Sequence, residues 1–295
     1  MTGETLAVLA ALAYGLAGVS IVQSKVTARG DNGVFLSVLC TVVLSWALWL
    51  GWGSVGIAGL LTSDGQKGVV VFALAGLLAN VVGRQSMYRA TERIGAVRAG
   101  LLRRLTPLFA LPFAVLFLGE WPGVLTLAGG GLVLAGVLIY MRPSEGTATP
   151  VATAGLLLGV LSPLAYALAY TLRGLGLDLA PDAALGTCLG ALVGGIFILA
   201  STVLRRGPRR GLSFLFADRG AGHWLTASAL SAGQLLQFFA LKSAPVVSVA
   251  MLGTLEVVFS ALIVLVVTRG ETVAVKRLVP AFLLAIAGTA LLFRA

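Results

Sequence analysis

One property limits this chain before any other: nearly all of its 295 residues fall in apolar runs about twenty residues long. At 1.5 Å per residue, a helix of about that length crosses a ~30 Å hydrocarbon core. A backbone in lipid must satisfy its own N–H and C=O groups, and runs too long for barrel strands do so as helices. The runs cover residues 5–23, 33–53, 68–90, 96–118, 122–141, 151–173, 183–204, 224–241, 246–268 and 273–293. The expected fold class is therefore all-α and integral to a membrane, with ten transmembrane helices. With 58% hydrophobic and 11% charged residues and a mean hydropathy of +1.01, little chain is left for a soluble catalytic domain. The first run lacks a basic flank and exceeds a signal-peptide core, so it reads as a span. The net charge of +10 reads as basic loops that orient a membrane protein, and nucleic acid is not an expected partner. Cys40 and Cys188 lie inside apolar runs and read as small buried hydrophobes, with no disulfide.

The two halves resemble each other. VVGRQSMYRA (81–90) aligns with SAGQLLQFFA (231–240), pairing Gly83 with Gly233, Arg84 with Gln234, Tyr88 with Phe238 and Ala90 with Ala240. Further on, Leu105-Thr106-Pro107 meets Leu255-Glu256-Val257, and Gly119-Glu120 meets Gly270-Glu271. An Ala-Tyr pair opens each half, at Ala13-Tyr14 and Ala165-Tyr166. The polar stretch RPSEGTATP (142–150) separates them, so the expected units are 1–141 and 151–295 joined by that linker. Five spans per half is odd, so the second copy must enter the membrane inverted. Inverted repeats rocking about a midplane site are a device of secondary transporters. Most Lys and Arg flank the odd-numbered connections, while Lys67, Arg173, Lys242 and Arg294 make up the sparse opposite set. That bias places both termini outside the cytoplasm of a plasma (inner) membrane.

In each half a short turn leads into a helix that ends in Gly-Glu. MYRATERIGAVRAGLLRRLTPLFALPFAVLFLGE (87–120) and FFALKSAPVVSVAMLGTLEVVFSALIVLVVTRGE (238–271) are the two copies. This pattern resembles the EamA-type branch of the drug/metabolite transporter superfamily. The resemblance implies ten helices in two inverted five-helix repeats, with the fifth and tenth peripheral and a central cavity lined by helices 1–4 and 6–9. It also implies transport of amino acids, other small metabolites or drugs, usually outward in bacteria. The chain departs from the family's frequent Glu-Pro pair, keeping Thr106-Pro107 in one copy and Glu256-Val257 in the other. Its arginines are also dense for the family, which argues against a hydrophobic cation as substrate.

Those arginines pose the functional question, because an arginine at a helix centre costs ~2.5–3.5 kcal/mol on insertion scales. Arg98, Arg103 and Arg104 lie near the start of the fourth run, where a long side chain can snorkel to the interface. Arg103 shares a face with Gly100, Ala96 and Pro107, a small-residue side suited to a cavity. Arg84 lies deeper and shares a face with Asn80 and Tyr88; it reads either as a substrate ligand or as half of an ion pair with Glu256. Glu256, the carboxylate placed well inside a run, is expected to carry a coupling proton or to act as a counter-ion. Tyr14, Tyr166, Gln234 and Gln237 add polar tips that should point inward. The expected substrate-binding set is Arg84, Tyr88, Arg103, Tyr14, Tyr166, Gln234 and Gln237, with Glu256 beside it. Trp46, Trp49 and Trp52 read as an interfacial belt. The glycines at 129–131 and 136 read as a close helix contact within the chain, a homodimer being the alternative.

One histidine, His223, cannot build a multi-histidine metal site, and no phosphate-cradling Gly-x-x-x-x-Gly-Lys loop is present. An enzyme or ATP-driven pump is thus disfavoured, and neither metal nor cofactor is expected. The reading is a secondary transporter of a small polar metabolite, an organic anion or zwitterion, with export as the expected direction. The alternatives are an exporter of hydrophobic cations and a lipid-phosphate flippase. Membrane lipid and the small solute are the expected partners.

Overall fold

The computed structural model describes residues 2–94, 102–140, 153–267 and 275–294, and the linker 142–150 and Arg98 lie outside them. Among the described residues the fold is all-helical. The helices are α1 (Gly3–Lys25), α2 (Val34–Trp52), the short α3 (Ile57–Leu60), α4 (Ser63–Gly76), α5 (Arg84–Ile94), α6 (Thr106–Leu118) and α7 (Val124–Tyr140). The second half holds α8 (Thr153–Leu179), α9 (Ala183–Arg206), the short α10 (Pro208–Leu215), α11 (Ala221–Leu241), α12 (Val246–Gly253), α13 (Glu256–Val267) and α14 (Val275–Leu292). Six helical stretches are long and apolar enough to cross a membrane, and 106–118, 124–136 and 279–292 form shorter apolar helices. α11 reaches 21 residues but carries His223, Gln234 and Gln237, which lower its hydropathy.

Several boundaries differ from expectation for identifiable reasons. The eighth helix runs to Leu179 instead of ending at Arg173, because Arg173 finds partners inside the protein. Residues 62–67, expected as a connection, belong to α4, whose first turn is capped by the Thr62 hydroxyl accepting from Gly65 N at 3.1 Å. The long connection at 205–223 contains α10, started by Pro208 in its first turn. Two expected continuous spans are broken. The chain is helical at Leu102 and Arg103, turns at Arg104 and Leu105, and becomes helical again at Thr106. Pro107 fits this break: it has no N–H for the Arg103 carbonyl, which accepts from the Thr106 hydroxyl at 2.7 Å instead, and proline is tolerated in a helix's first turn. The matching break falls at Thr254 and Leu255, between α12 and α13. A third irregularity is a π-helical stretch, Leu77–Gly83, joining α4 to α5.

Packing divides the helices into two walls. α1 packs along α11, α12 and α13, while α8 packs along α4, α5 and α6. α2 and α9 lie against each other, and α7 pairs with α14. In that pair a side chain on Gly129 would meet Gly288 O at 2.8 Å, and one on Gly136 would meet Ala281 O at 2.7 Å. Small residues are what let these backbones approach. The main core gathers Ala7 and Ala11 of α1, Phe72 of α4, Ala110 and Ala114 of α6, Leu177 of α8 and Phe238 and Leu241 of α11. It therefore fills the end of the bundle where α1 begins and α11 finishes. Trp46 and Trp52 are exposed, and the Trp49 indole donates to Val55 O at 2.8 Å.

Candidate functional site

The face of α1 that presents Ala7 and Ala11 to the core continues as Tyr14, Gly18 and Ile21, and these last three line a cavity of about 100 Å³. Residues three and four apart share a helix face, so α1 changes from sealing to lining along a single stripe. On α11 the same change occurs between Phe238 and Gln234. The cavity wall also holds Asn80, Arg84, Arg103, Arg104, Thr106, Tyr166, Tyr170, Arg173, Gln237, Thr254 and Glu256. It thus gathers Tyr14, Arg84, Arg103, Tyr166, Gln234, Gln237 and Glu256 of the expected set. The backbone of Tyr88 lies in α5, but its side chain lies outside the described residues.

Each arginine reaches across from one wall to the other. Arg84 donates to Ser37 Oγ of α2 at 2.8 Å. That hydroxyl is itself directed at Val34 O, 2.7 Å away, which leaves a lone pair for the guanidinium. Arg103 donates to Glu256 Oε2 at 2.7 Å, a charge-assisted bond. Arg103 is therefore the arginine in closest contact with Glu256. Arg104 reaches Thr254 O at 3.4 Å, at the break between α12 and α13, and lies 3.9 Å from Glu256 Oε2. Arg173 donates to Gln237 Oε1 at 3.0 Å and lies over the rings of Phe238 (4.6 Å) and Tyr170 (5.6 Å). The Tyr14 hydroxyl donates to the same Gln237 oxygen at 3.3 Å.

Two of these residues correct the sequence reading. Arg104 was expected to snorkel to the interface, but it is buried against the second broken helix. Arg173 was counted with the loop charges, but it is 3% exposed, inside α8. A planar guanidinium with aromatic faces on two sides is sheltered without an ion pair. Its signal in the sequence was the spacing of Tyr166, Tyr170 and Arg173, which puts all three on one helical stripe.

Local sequence explains how the site is held. Gly233 lets α11 pass Tyr14, because a Cβ there would stand 2.8 Å from the ring. Gly83 does the same for Tyr166, at 3.1 Å. Next to it, the Ser162 hydroxyl donates to Gly83 O at 2.9 Å, and Asn80 Nδ2 bonds Gly190 O at 3.2 Å. The π-helical stretch shifts the register just before Arg84, and such bulges occur often at functional sites. Among the described residues no His/Cys/Asp/Glu group is arranged to hold a metal.

Comparison with known proteins fits this architecture. Residues 1–142 match the EamA-like transporter family. Over that stretch the chain is similar to EamA-like transporters. The match takes in the first Gly-Glu-terminated copy, 87–120, and agrees with the resemblance drawn from it. One solved structure, described only as the crystal structure of a protein, superposes with a TM-score of 0.73 at 17% identity. The match covers 98% of this chain and 96% of that one, so the whole chain shares a fold already seen. No curated protein matches. The apolar helices and the family match together point to a multi-pass membrane protein.

Outside the spans, polar connections brace the fold. Asp218 accepts backbone N–H bonds from Arg29 (2.6 Å), Gly30 (3.0 Å) and Asn32 (2.7 Å). Asp31 caps the start of α2 by accepting from Gly33 and Phe35, and burial pushes its carboxyl up to about 6. Asp182 performs the corresponding task at the other end of α2, accepting from Ser54 N at 2.7 Å and Val55 N at 3.1 Å. Glu120 accepts from Val246 N at 2.8 Å, and burial raises its carboxyl above the usual range.

Proposed function

We propose that this protein is a secondary transporter of small organic anions, working by alternating access. One observation carries the reading: four arginines and one glutamate line a single cavity, leaving three positive charges uncompensated among its described residues. Uncompensated charge inside a membrane protein is costly, and a bound anion is what removes the cost. Guanidinium groups match carboxylate and phosphate oxygens in pairs. The broken helices add to the attraction, since α6 and α13 both start at the cavity and a helix start carries partial positive charge. A hydrophobic cation would find Glu256 already held by Arg103.

In this reading the units are two inverted five-helix repeats, residues 1–141 and 151–295, joined by 142–150. The support is the paired packing: Tyr14 of the first half against Gly233 of the second, and Tyr166 of the second against Gly83 of the first. The core at the α1-start end is the closed gate of the present state. Rocking the arginine-bearing wall against the other would open that end. The loop charges favour both termini outside the cytoplasm of the plasma membrane, with substrate moving outward.

The test is thermal stabilisation of the detergent-purified protein by carboxylates, phosphate esters, neutral amino acids and hydrophobic cations. A ligand that binds only the folded protein raises its melting temperature with concentration. Anions should stabilise, and Arg84→Gln should lose that response while staying monodisperse. Stabilisation by cations alone, or an anion response indifferent to Arg84, would sink the reading.

A further inference from the structure

The neighbouring arginines Arg103 and Arg104 are not equivalent. The Arg103 side chain is 30% exposed and holds Glu256 at 2.7 Å, whereas the Arg104 side chain is 7% exposed. Arg104 contacts the same Glu256 oxygen loosely, at 3.9 Å. Its Nε is buried with no hydrogen-bond partner, and its contact with Thr254 O is long at 3.4 Å. A buried guanidinium nitrogen without an acceptor carries a desolvation cost that a carboxylate oxygen would remove. Glu256 itself starts α13, next to the turn at Thr254 and Leu255, so it stands at a joint and not mid-helix.

We infer that Glu256 is an internal stand-in for the substrate anion, and that Arg104 is the partner it moves to when substrate takes Arg103. The inference rests on the anion-transport reading and says how the site is emptied and filled. In the empty site the Glu256 carboxylate neutralises the accessible arginine. An arriving carboxylate or phosphate takes over the Arg103 fork, and Glu256 turns from Arg103 to the Arg104 guanidinium. Glu256 keeps an arginine partner in both states. Arg103 and Arg104 both stand on the wall opposite Glu256, so the exchange shifts the ion pair between the walls by one residue without breaking it. The site selects ligands whose anionic group competes with a side-chain carboxylate at close quarters. A neutral solute cannot displace Glu256.

The experiment is a mutant cycle on the full-length protein in detergent, read as the concentration of inorganic phosphate or succinate needed for half-maximal thermal stabilisation. Glu256→Gln removes the competitor and should tighten binding about tenfold. Arg104→Gln should weaken binding about tenfold in the wild-type background, although Arg104 does not touch the anion. In the Glu256→Gln background the same change should cost less than about threefold, because nothing then needs relocating. Equal losses in both backgrounds would mean that Arg104 acts only as a nearby charge, and the exchange would be overturned. If Arg104→Gln alone does not fold, the double variant is compared with Glu256→Gln, and a tenfold gap there overturns the inference equally. No stabilisation in either wild type or Glu256→Gln would instead defeat the anion reading as a whole.

Discussion

The two walls of the cavity are built alike and charged differently. Each contributes a broken helix at its centre, turning at Arg104-Leu105 in one and at Thr254-Leu255 in the other. Each packs a tyrosine across a glycine, Tyr166 on Gly83 and Tyr14 on Gly233. Yet Arg84, Arg103, Arg104 and Arg173 all project from the wall of α5, α6 and α8, and meet Ser37, Glu256, Thr254 and Gln237 on the other. Similar backbones therefore carry opposite roles, one wall supplying the positive field and the other the acceptors that hold it in place. Divergence at such sites requires only side-chain changes, because the break and the glycine contact fix the frame.

Removing charge from the arginine wall should have the largest effect. Arg173→Gln is expected to lose at least tenfold in anion affinity, measured by the same thermal titration. Tyr14→Phe, on the opposite wall, removes only a 3.3 Å hydrogen bond to Gln237 and should cost less than about threefold. Equal effects from the two would break the assignment of the field to one wall.

The glycine contacts give a sharper structural comparison. Gly233→Ala puts a methyl 2.8 Å from the Tyr14 ring, whereas Gly83→Ala leaves 3.1 Å to Tyr166. Overpacking a fixed contact costs ~1–3 kcal/mol, so both variants should melt earlier, Gly233→Ala more so. The reverse order in a detergent melting series would show that the Gly83–Tyr166 pair is the tighter joint.

The smallest expected effect is at the start of α2. Asp31, held up to about 6 by burial, binds a proton in the folded protein at a pH where the unfolded chain has released it. Its contribution to stability is present below the ordinary carboxylate value of 3.8 and is lost as pH rises through about 6. The melting temperature should therefore carry a component that declines between these values, and Asp31→Asn should remove it. An unchanged slope in that variant would assign the pH dependence to other groups.

Much of the fold was legible because lipid imposes a length and a composition on every span. α2 and α7 begin and end within two residues of their apolar runs, at Val34–Trp52 and Val124–Tyr140. Arg103, Arg104 and Thr106 flank the first break and Thr254 and Glu256 the second, but polar residues inside a run read as site residues and not as breaks. Only Pro107 signalled the first, and nothing local signalled the second. The site was legible as a set of polar tips, but the pairings within it were not. Glu256 lies 153 residues from Arg103, and Gln237 lies 64 from Arg173.

The sequence by itself determined that this chain is helical, spans a membrane and carries more arginine than its loops can account for. Those properties follow from composition and period, which act locally along the chain. Which arginine is exposed and which is buried, and which faces Glu256, only the tertiary structure decided. Such pairings depend on where helices distant in sequence cross, and a crossing is set by the small residues and broken turns of both partners together.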